Sequence, residues 1–140
     1  MRKFLLLLIP FLFVALPLVS YADKEVAKPA VIAVMMHADW CGSCKSLDPK
    51  VTQAREEAKL DEQDVLFVTF DLTDDTTKAQ SKMMAAALGI AEVYESNAGK
   101  TGFMLLVNAE SGDKLARVTN KLKADEIADS ILASLKTAKT

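Results

Sequence analysis

The chain has 140 residues, with 17 Lys and Arg, 19 Asp and Glu, one histidine and two cysteines. Its formal net charge is −2, and the charges of both signs are interspersed, so the basic surface that nucleic acids require is absent and no nucleic-acid partner is expected. The length suits one domain with one hydrophobic core.

The first 22 residues have the three parts of a secretory signal peptide. Arg2 and Lys3 precede an apolar run at 4–19, and small residues end the segment at Ala22. We therefore expect residues 1–22 to be removed, leaving a domain at 23–140 in the periplasm or an equivalent space, without stable membrane insertion. The alternative is an uncleaved membrane anchor, although the run has only 16 residues and contains two prolines, whereas a spanning helix needs about 20.

The first half of the domain predicts a strand, a helix and a second strand. The apolar run at 30–37 is typical of a strand buried on both faces. A helix is expected from about 42 to 60, with Pro49 inside it producing a kink. The inward stripe of this helix is Leu47, Val51, Ala54 and Ala58. The second strand is expected at 64–72.

The second half predicts a helix at 76–89 closed by Gly89, an irregular stretch at 90–100, a strand pair at 103–108 and 114–118, and a last helix at about 124–136. The order β-α-β-α-β-β-α predicts an α/β fold with a mixed sheet. The two cysteines then lie where the first strand ends and the first helix begins, which is where open α/β sheets place their sites.

Both cysteines lie in the stretch HADWCGSCK at 37–45. A bridge between Cys41 and Cys44 closes too short a loop to stabilise the fold much, so a reactive or metal-binding role is expected. Helix-start amides and the helix dipole favour a thiolate on an exposed Cys41, which lowers its pKa below the free value of about 8.5. Cys44 lies one turn further and deeper, so Cys41 can attack a disulfide and Cys44 can resolve the mixed disulfide. Gly42 allows close approach of a partner's backbone, and the Ser43 hydroxyl can donate to the thiolate.

This stretch, followed by a proline five residues after Cys44, resembles the thioredoxin superfamily. The matching positions are Ala38, Asp39, Trp40, Cys41, Gly42, Cys44, Lys45 and Pro49. The resemblance implies a thioredoxin-like fold and exchange with protein thiols or disulfides, with Cys41 as nucleophile and Cys44 as resolving thiol. Since only a short leader precedes the first strand, a minimal four-stranded mixed sheet with helices on both faces is expected. We expect a monomer without a cofactor, fed by a membrane electron donor if it acts as a reductase.

Three positions depart from the family pattern. Met35 stands where thioredoxins have a buried acid, and Ser43 replaces the proline between the cysteines. Gly102 stands where the family has a cis-proline beside the cysteines, so the Thr101–Gly102 bond is expected to be trans and the loop open and flexible. In the family, the backbone next to this proline pairs with the substrate peptide. The segment 91–100 is longer than usual, and we expect it to form a lid or a partner surface.

The only histidine, His37, has two interpretations. It shares strand parity with Met35, so its imidazolium can lower the pKa of Cys41, or it can be a half-exposed polar residue without a role. Thiolate, thioether and imidazole groups also select Cu(I), which makes a copper-binding or copper-delivery module using Cys41, Cys44 and His37 the alternative function. A third possibility is a module that binds partners without redox turnover.

The remaining polar and apolar candidates have structural interpretations. Trp40 is expected to shape the partner groove and to shield the sulfur, and Asp39 to cap the first helix. Thr69 and Asp71 are expected to belong to the scaffold, and the acidic pair 74–75 to lie at a helix N-terminus. The methionine pair 83–84 is expected to fill the core.

Overall fold

The structure is a computed structural model that describes residues 28–140. The predicted signal peptide at 1–22, its cleavage and the alternative membrane anchor lie outside the described residues. The elements are β1 Val31–His37, α1 Gly42–Glu57, β2 Val65–Asp71, α2 Asp75–Ala87, α3 Ala91–Ser96, β3 Phe103–Asn108, β4 Lys114–Thr119 and α4 Ala124–Ala138. Among residues 28–140, no helix combines the length and the apolar character needed to cross a bilayer.

The four strands form one mixed sheet in the order β2-β1-β3-β4. β1 and β2 are parallel, with Met35 opposite Thr69 and His37 opposite Asp71. β3 runs antiparallel to both β1 and β4, and Met36 pairs with Phe103. The predicted four-stranded mixed sheet is therefore confirmed.

The two faces of the sheet carry separate cores. Odd-numbered residues of β1, such as Met35, pack with α1 and α4 around Leu47 and Ile131. Even-numbered residues of β1 pack with α2 and α3, where the Phe70 and Tyr94 rings meet edge to face at 5.6 Å. Helices thus cover both faces, and β1 is apolar from Val31 to Met36 because neither face of this stretch meets water.

The helices differ from the prediction in their ends and number. α1 ends at Glu57 rather than near residue 60, because Lys59 adopts a left-handed backbone (φ 48°) and a short 3₁₀ turn follows at Leu60–Glu62. The stretch 90–100 is not irregular, since it contains α3. Its buried Tyr94 donates a hydrogen bond from its hydroxyl to the Lys78 carbonyl at 2.9 Å.

The end of α2 follows the prediction, while its outer face does not. Gly89 has a φ of 73°, and the amides of Gly89 and Ile90 bond to the carbonyls of Ala86 and Ala85, which is the Schellman pattern. Met83 and Met84 are 66% and 42% exposed, so the prediction that they fill the core is wrong. Only the opposite side of α2 packs on the sheet.

Candidate active site at the start of α1

A disulfide joins Cys41 and Cys44 at the start of α1, with Cα atoms 5.3 Å apart. Cys41 is the N-cap residue of this helix and has an extended backbone. Its sulfur accepts a hydrogen bond from the Cys44 amide at 3.1 Å. An amide of the first helical turn that has no partner within the helix therefore donates to the Cys41 sulfur, as the sequence predicts. Asp39 is not the cap, because Cys41 occupies that position.

The two cysteines are buried to different depths. Cys44 is fully buried and its sulfur lies 3.6 Å from the Met36 carbonyl oxygen, whereas Cys41 is 6% exposed. The prediction that Cys44 lies deeper is confirmed. The prediction of an exposed Cys41 is wrong for this oxidised state, and the loop before β3 supplies the reason.

Gly102, in that loop, lies directly against the cysteine pair. Its amide donates a hydrogen bond to the Met36 carbonyl at 2.9 Å, and its φ is 88°. A Cβ atom added to Gly102 would lie 2.7 Å from the Ser43 Cβ and 3.4 Å from the Cys41 Sγ. No cis peptide bond occurs within residues 28–140, so the Thr101–Gly102 bond is trans as predicted. The expected open loop is wrong, because the missing side chain lets this backbone approach closely.

Trp40 is 63% exposed and is attached to the end of β2 through Thr73. Its indole N–H donates to the Thr73 carbonyl at 3.3 Å, and the Asp39 amide donates to the Thr73 hydroxyl at 3.0 Å. The Thr73 hydroxyl and amide donate in turn to the Asp71 carboxylate at 2.5 and 2.9 Å. Asp71 thus does more than support the strand, since it anchors the loop that carries Trp40.

The pKa of Asp71 is lowered from its ordinary value of 3.8. The largest cause is the hydrogen bond from the Thr73 hydroxyl, with smaller contributions from the Thr73 amide and the charge of His37, while burial acts in the opposite direction. Sequence reasoning missed Thr73. The Asp-x-Thr spacing, in which a carboxylate accepts from the amide two residues on, is a signal that points to it.

His37 faces carboxylates rather than the cysteine pair. Its Nε2 lies 3.5 Å from an Asp39 oxygen and its Nδ1 lies 3.5 Å from an Asp48 oxygen. Its side chain is 22% exposed and lines a cavity of about 310 Å³ together with Met35 and Thr69, and neither cysteine lines this cavity. The shared parity of His37 and Met35 is confirmed. Asp48 is a second residue that sequence reasoning missed, because its proximity depends on how α1 packs on β1.

The groups considered as soft-metal ligands lie apart. Met35 belongs to the core beneath α1, and Met36 belongs to the core on the opposite face of the sheet. In the described part of the chain, no three or more His, Cys, Asp or Glu side chains are grouped so that they could hold a metal ion. Of the predicted copper ligands Cys41, Cys44 and His37, the fold of residues 28–140 therefore brings only the two cysteine sulfurs together.

A parallel βαβ unit, an antiparallel hairpin and a Cys-x-x-Cys disulfide at the first helix start define the class of thioredoxin-like proteins. The thioredoxin family model matches residues 19–92, just over half of the chain. The chain belongs to the thioredoxin family.

The chain is also similar to individual known proteins. Chloroplastic thioredoxin F of Oryza sativa subsp. japonica is 36% identical over 67 residues, which are 48% of this chain and 31% of the relative, so the chain spans about a third of that relative's length. Among solved structures, a thioredoxin-family thiol:disulfide interchange protein from Chlorobium tepidum TLS has a TM-score of 0.51 at 16% identity, covering 77% of this chain and 81% of that one. Trxlp from Edwardsiella tarda EIB202 has a TM-score of 0.49 at 19% identity, covering 75% and 84%.

Proposed function

We propose that the chain is an exported thiol–disulfide oxidoreductase that exchanges disulfides with partner proteins through Cys41 and Cys44. The observation that carries the proposal is the Cys44 amide donating to the Cys41 sulfur at the N-terminus of a 16-residue helix. This arrangement stabilises negative charge on Cys41 once the disulfide is reduced, and a thiolate is the form of cysteine that attacks disulfides. Cys44 is completely buried beside it and can react only with what Cys41 has already captured.

The exchange has two steps when the protein begins reduced. The Cys41 thiolate attacks one sulfur of the partner's disulfide, the partner's S–S bond breaks, and one partner thiolate leaves. Cys44 then gives its proton to the partner thiolate released in the first step and attacks the Cys41 sulfur. The mixed disulfide breaks, the second partner thiolate leaves, and the Cys41–Cys44 disulfide forms. The partner gains the two electrons that the protein loses, and the reverse sequence oxidises a partner dithiol.

The residues around the pair support this role in different ways. Gly42 is exposed with nothing near the position of a side chain, which leaves room for a partner's backbone. Trp40, which precedes Cys41 in the chain, is exposed to a partner, and Ser43 supplies a hydroxyl donor. Gly102, preceded by Thr101, lies against Cys41 and Ser43. His37 belongs to the supporting residues in this proposal through its 3.5 Å contacts with the Asp39 and Asp48 carboxylates, which connect the end of β1 to the cysteine loop and α1.

The direction of the reaction is set by the redox potential of the pair. A potential near −120 mV is that of a strong oxidant, and one near −270 mV is that of a reductant. A reductant in an oxidising compartment must itself be reduced again after each reaction. We assign the supply of these electrons to a membrane electron donor. Cleavage after Ala22 would release the domain into that compartment, and N-terminal sequencing of the exported protein tests this step.

A trapping experiment tests the proposed roles. The Cys44→Ser variant should accumulate a covalent mixed disulfide with partner proteins, because the second step is blocked, whereas the matched Cys41→Ser variant should accumulate none. Equal trapping by both variants, or by neither, contradicts the assignment of nucleophile and resolving thiol. Metal analysis of the purified protein with and without reductant covers the copper-binding alternative, since stoichiometric copper bound only by the reduced pair would replace exchange as the function.

A further inference from the structure

The loop before β3 packs tightly against Ser43, the second of the two residues between the cysteines. The 2.7 Å separation between a Cβ added at Gly102 and the Ser43 Cβ is shorter than real Cβ contacts, so even an alanine at Gly102 would displace one of the two segments. The loop cannot move away freely, because the Gly102 amide is bonded to the Met36 carbonyl at 2.9 Å. Gly102 is itself buried, whereas Ser43 is exposed.

We propose that Ser43 and Gly102 form a size-matched pair that positions this loop against Cys41 and thereby determines how well polypeptide disulfides react there compared with small ones. The inference rests on the proposed disulfide exchange. Gly102 is a positioning residue in this scheme, because it acts through the loop and not on the reacting sulfurs. Atoms and electrons move as in the two steps given above.

The distinction between substrates follows from the position of the loop. A Cβ at Gly102 would be 3.4 Å from the Cys41 sulfur, so any polypeptide that brings its own sulfur to Cys41 also lies against the backbone at 101–102. A small-molecule disulfide needs access only to the Cys41 sulfur. Displacing the loop therefore impairs the reaction with polypeptides more than the reaction with small molecules, since misplacing a positioning element by about 1 Å can cost about 100-fold in rate.

The chain provides a matched control for this test. Gly112 has a φ of 76°, close to the 88° of Gly102, but nothing lies within 4 Å of a Cβ added there. Gly102→Ala and Gly112→Ala thus impose the same kind of backbone strain, and only the first also meets Ser43. Combining Gly102→Ala with Ser43→Gly removes the contact and keeps the strain.

The experiment measures two second-order rate constants for each pre-reduced variant, one with insulin and one with 2-hydroxyethyl disulfide. Trp40, the only tryptophan, lies next to Cys41 and reports oxidation by its fluorescence. Gly102→Ala should lower the ratio of the insulin rate to the small-disulfide rate at least about tenfold, and Gly112→Ala should change it less than about twofold. Adding Ser43→Gly to Gly102→Ala should return the ratio to within about threefold of that of the wild type.

Three results overturn the pair. The first is an insulin to small-disulfide rate ratio for Gly102→Ala equal to that for Gly112→Ala. The second is a double variant whose ratio stays as low as that of Gly102→Ala. The third is a double variant that does not fold although Gly112→Ala folds. If Gly102→Ala alone does not fold, the double variant is compared directly with Gly112→Ala, and its folding with a restored ratio supports the pair. If the wild-type protein reacts with neither disulfide, the proposed function fails instead, so the two failures are distinguishable.

Discussion

Reduction of the Cys41–Cys44 disulfide should destabilise the folded protein at low pH and much less at high pH. The oxidised form gains the closure entropy of a loop of about four residues, which the chain-entropy description puts at about 2 kcal/mol, the low end of the range for disulfides. In the reduced form, the Cys41 thiolate offsets that loss by accepting the Cys44 amide hydrogen bond and by lying at the positive end of the α1 dipole.

The two stabilising effects on the thiolate have known ranges. A hydrogen bond to a charged group contributes about 1.5–3 kcal/mol, and a helix terminus contributes about 0.3–1 kcal/mol to a favourable charge. Because Cys41 is only 6% exposed, solvent screens these effects little, while removal of the thiolate from water opposes them. The two ranges together amount to about 1.8–4 kcal/mol, and desolvation brings the net effect to the lower end, about 2 kcal/mol, which is close to the entropy of the disulfide loop.

The sign of the pH dependence follows from proton linkage. The pKa of Cys41 in the folded reduced protein should be lower than the value of about 8.5 for an unfolded thiol, because only the folded state supplies the amide and the dipole. The stabilisation is therefore fully present above about pH 8.5 and is lost as the pH falls through the lower folded pKa.

Urea unfolding followed by far-ultraviolet circular dichroism, with and without a phosphine reductant, measures both forms. At about pH 5 the oxidised form should be more stable by about 2 kcal/mol, and at about pH 8.5 the two forms should agree within about 1 kcal/mol. All titrating groups except the two cysteines are common to both forms and cancel in the difference. The fully buried Cys44 thiol ionises more readily in the unfolded reduced protein, which affects the comparison only above about pH 8.5. A difference between the two forms that stays constant from about pH 5 to pH 8.5 would show that the α1 N-terminus does not stabilise a Cys41 thiolate.

Three further predictions follow from named contacts. The Thr73 hydroxyl holds the pKa of Asp71 below 3.8, so the stability that this carboxylate provides is present above about that pH and is lost as the pH falls through the lower folded value. In urea titrations, the loss of unfolding free energy in Asp71→Asn should therefore shrink on acidification, and a loss that does not change with pH contradicts this. Ile131→Ala should lower the free energy of unfolding by about 2–5 kcal/mol, because Ile131 is fully buried in the core beneath the sheet, and a loss under about 1 kcal/mol in the same titration would count against that packing. His37→Phe should leave the alkylation rate of Cys41 unchanged from about pH 5 to pH 9, because the imidazole faces carboxylates, and a slower rate would support direct action on the thiolate.

The sequence predicts those parts of the fold that depend on local patterning. The apolar run at 30–37 identifies β1 because a central strand meets no water on either face, and Gly89 identifies the end of α2 because a left-handed residue is needed there. The short helix α3 is missed because its six residues carry only one clear buried anchor, Tyr94. The exposure of the methionine pair 83–84 is missed because hydrophobicity alone does not say which side of a helix packs.

The candidate site is likewise predicted only where it depends on local sequence. The positions of Cys41 and Cys44 follow from their spacing at a predicted strand–helix junction, which is a local feature. The closeness of Gly102 to Ser43 depends on two segments distant in the chain, and a glycine gives the same sequence signal whether it opens a loop or lets the loop close. Thr73 is likewise brought to Trp40 by the β1–β2 pairing.

Activation of Cys41 by the helix start can be measured as the pH dependence of Cys41 alkylation in the Cys44→Ser variant, compared with that of an unstructured peptide carrying residues 37–45 with the same substitution. The folded protein should reach its full alkylation rate at a lower pH than the peptide, because the helix start stabilises the thiolate. If protein and peptide titrate at the same pH, the helix start does not activate Cys41, and Cys41 is not the nucleophile proposed here.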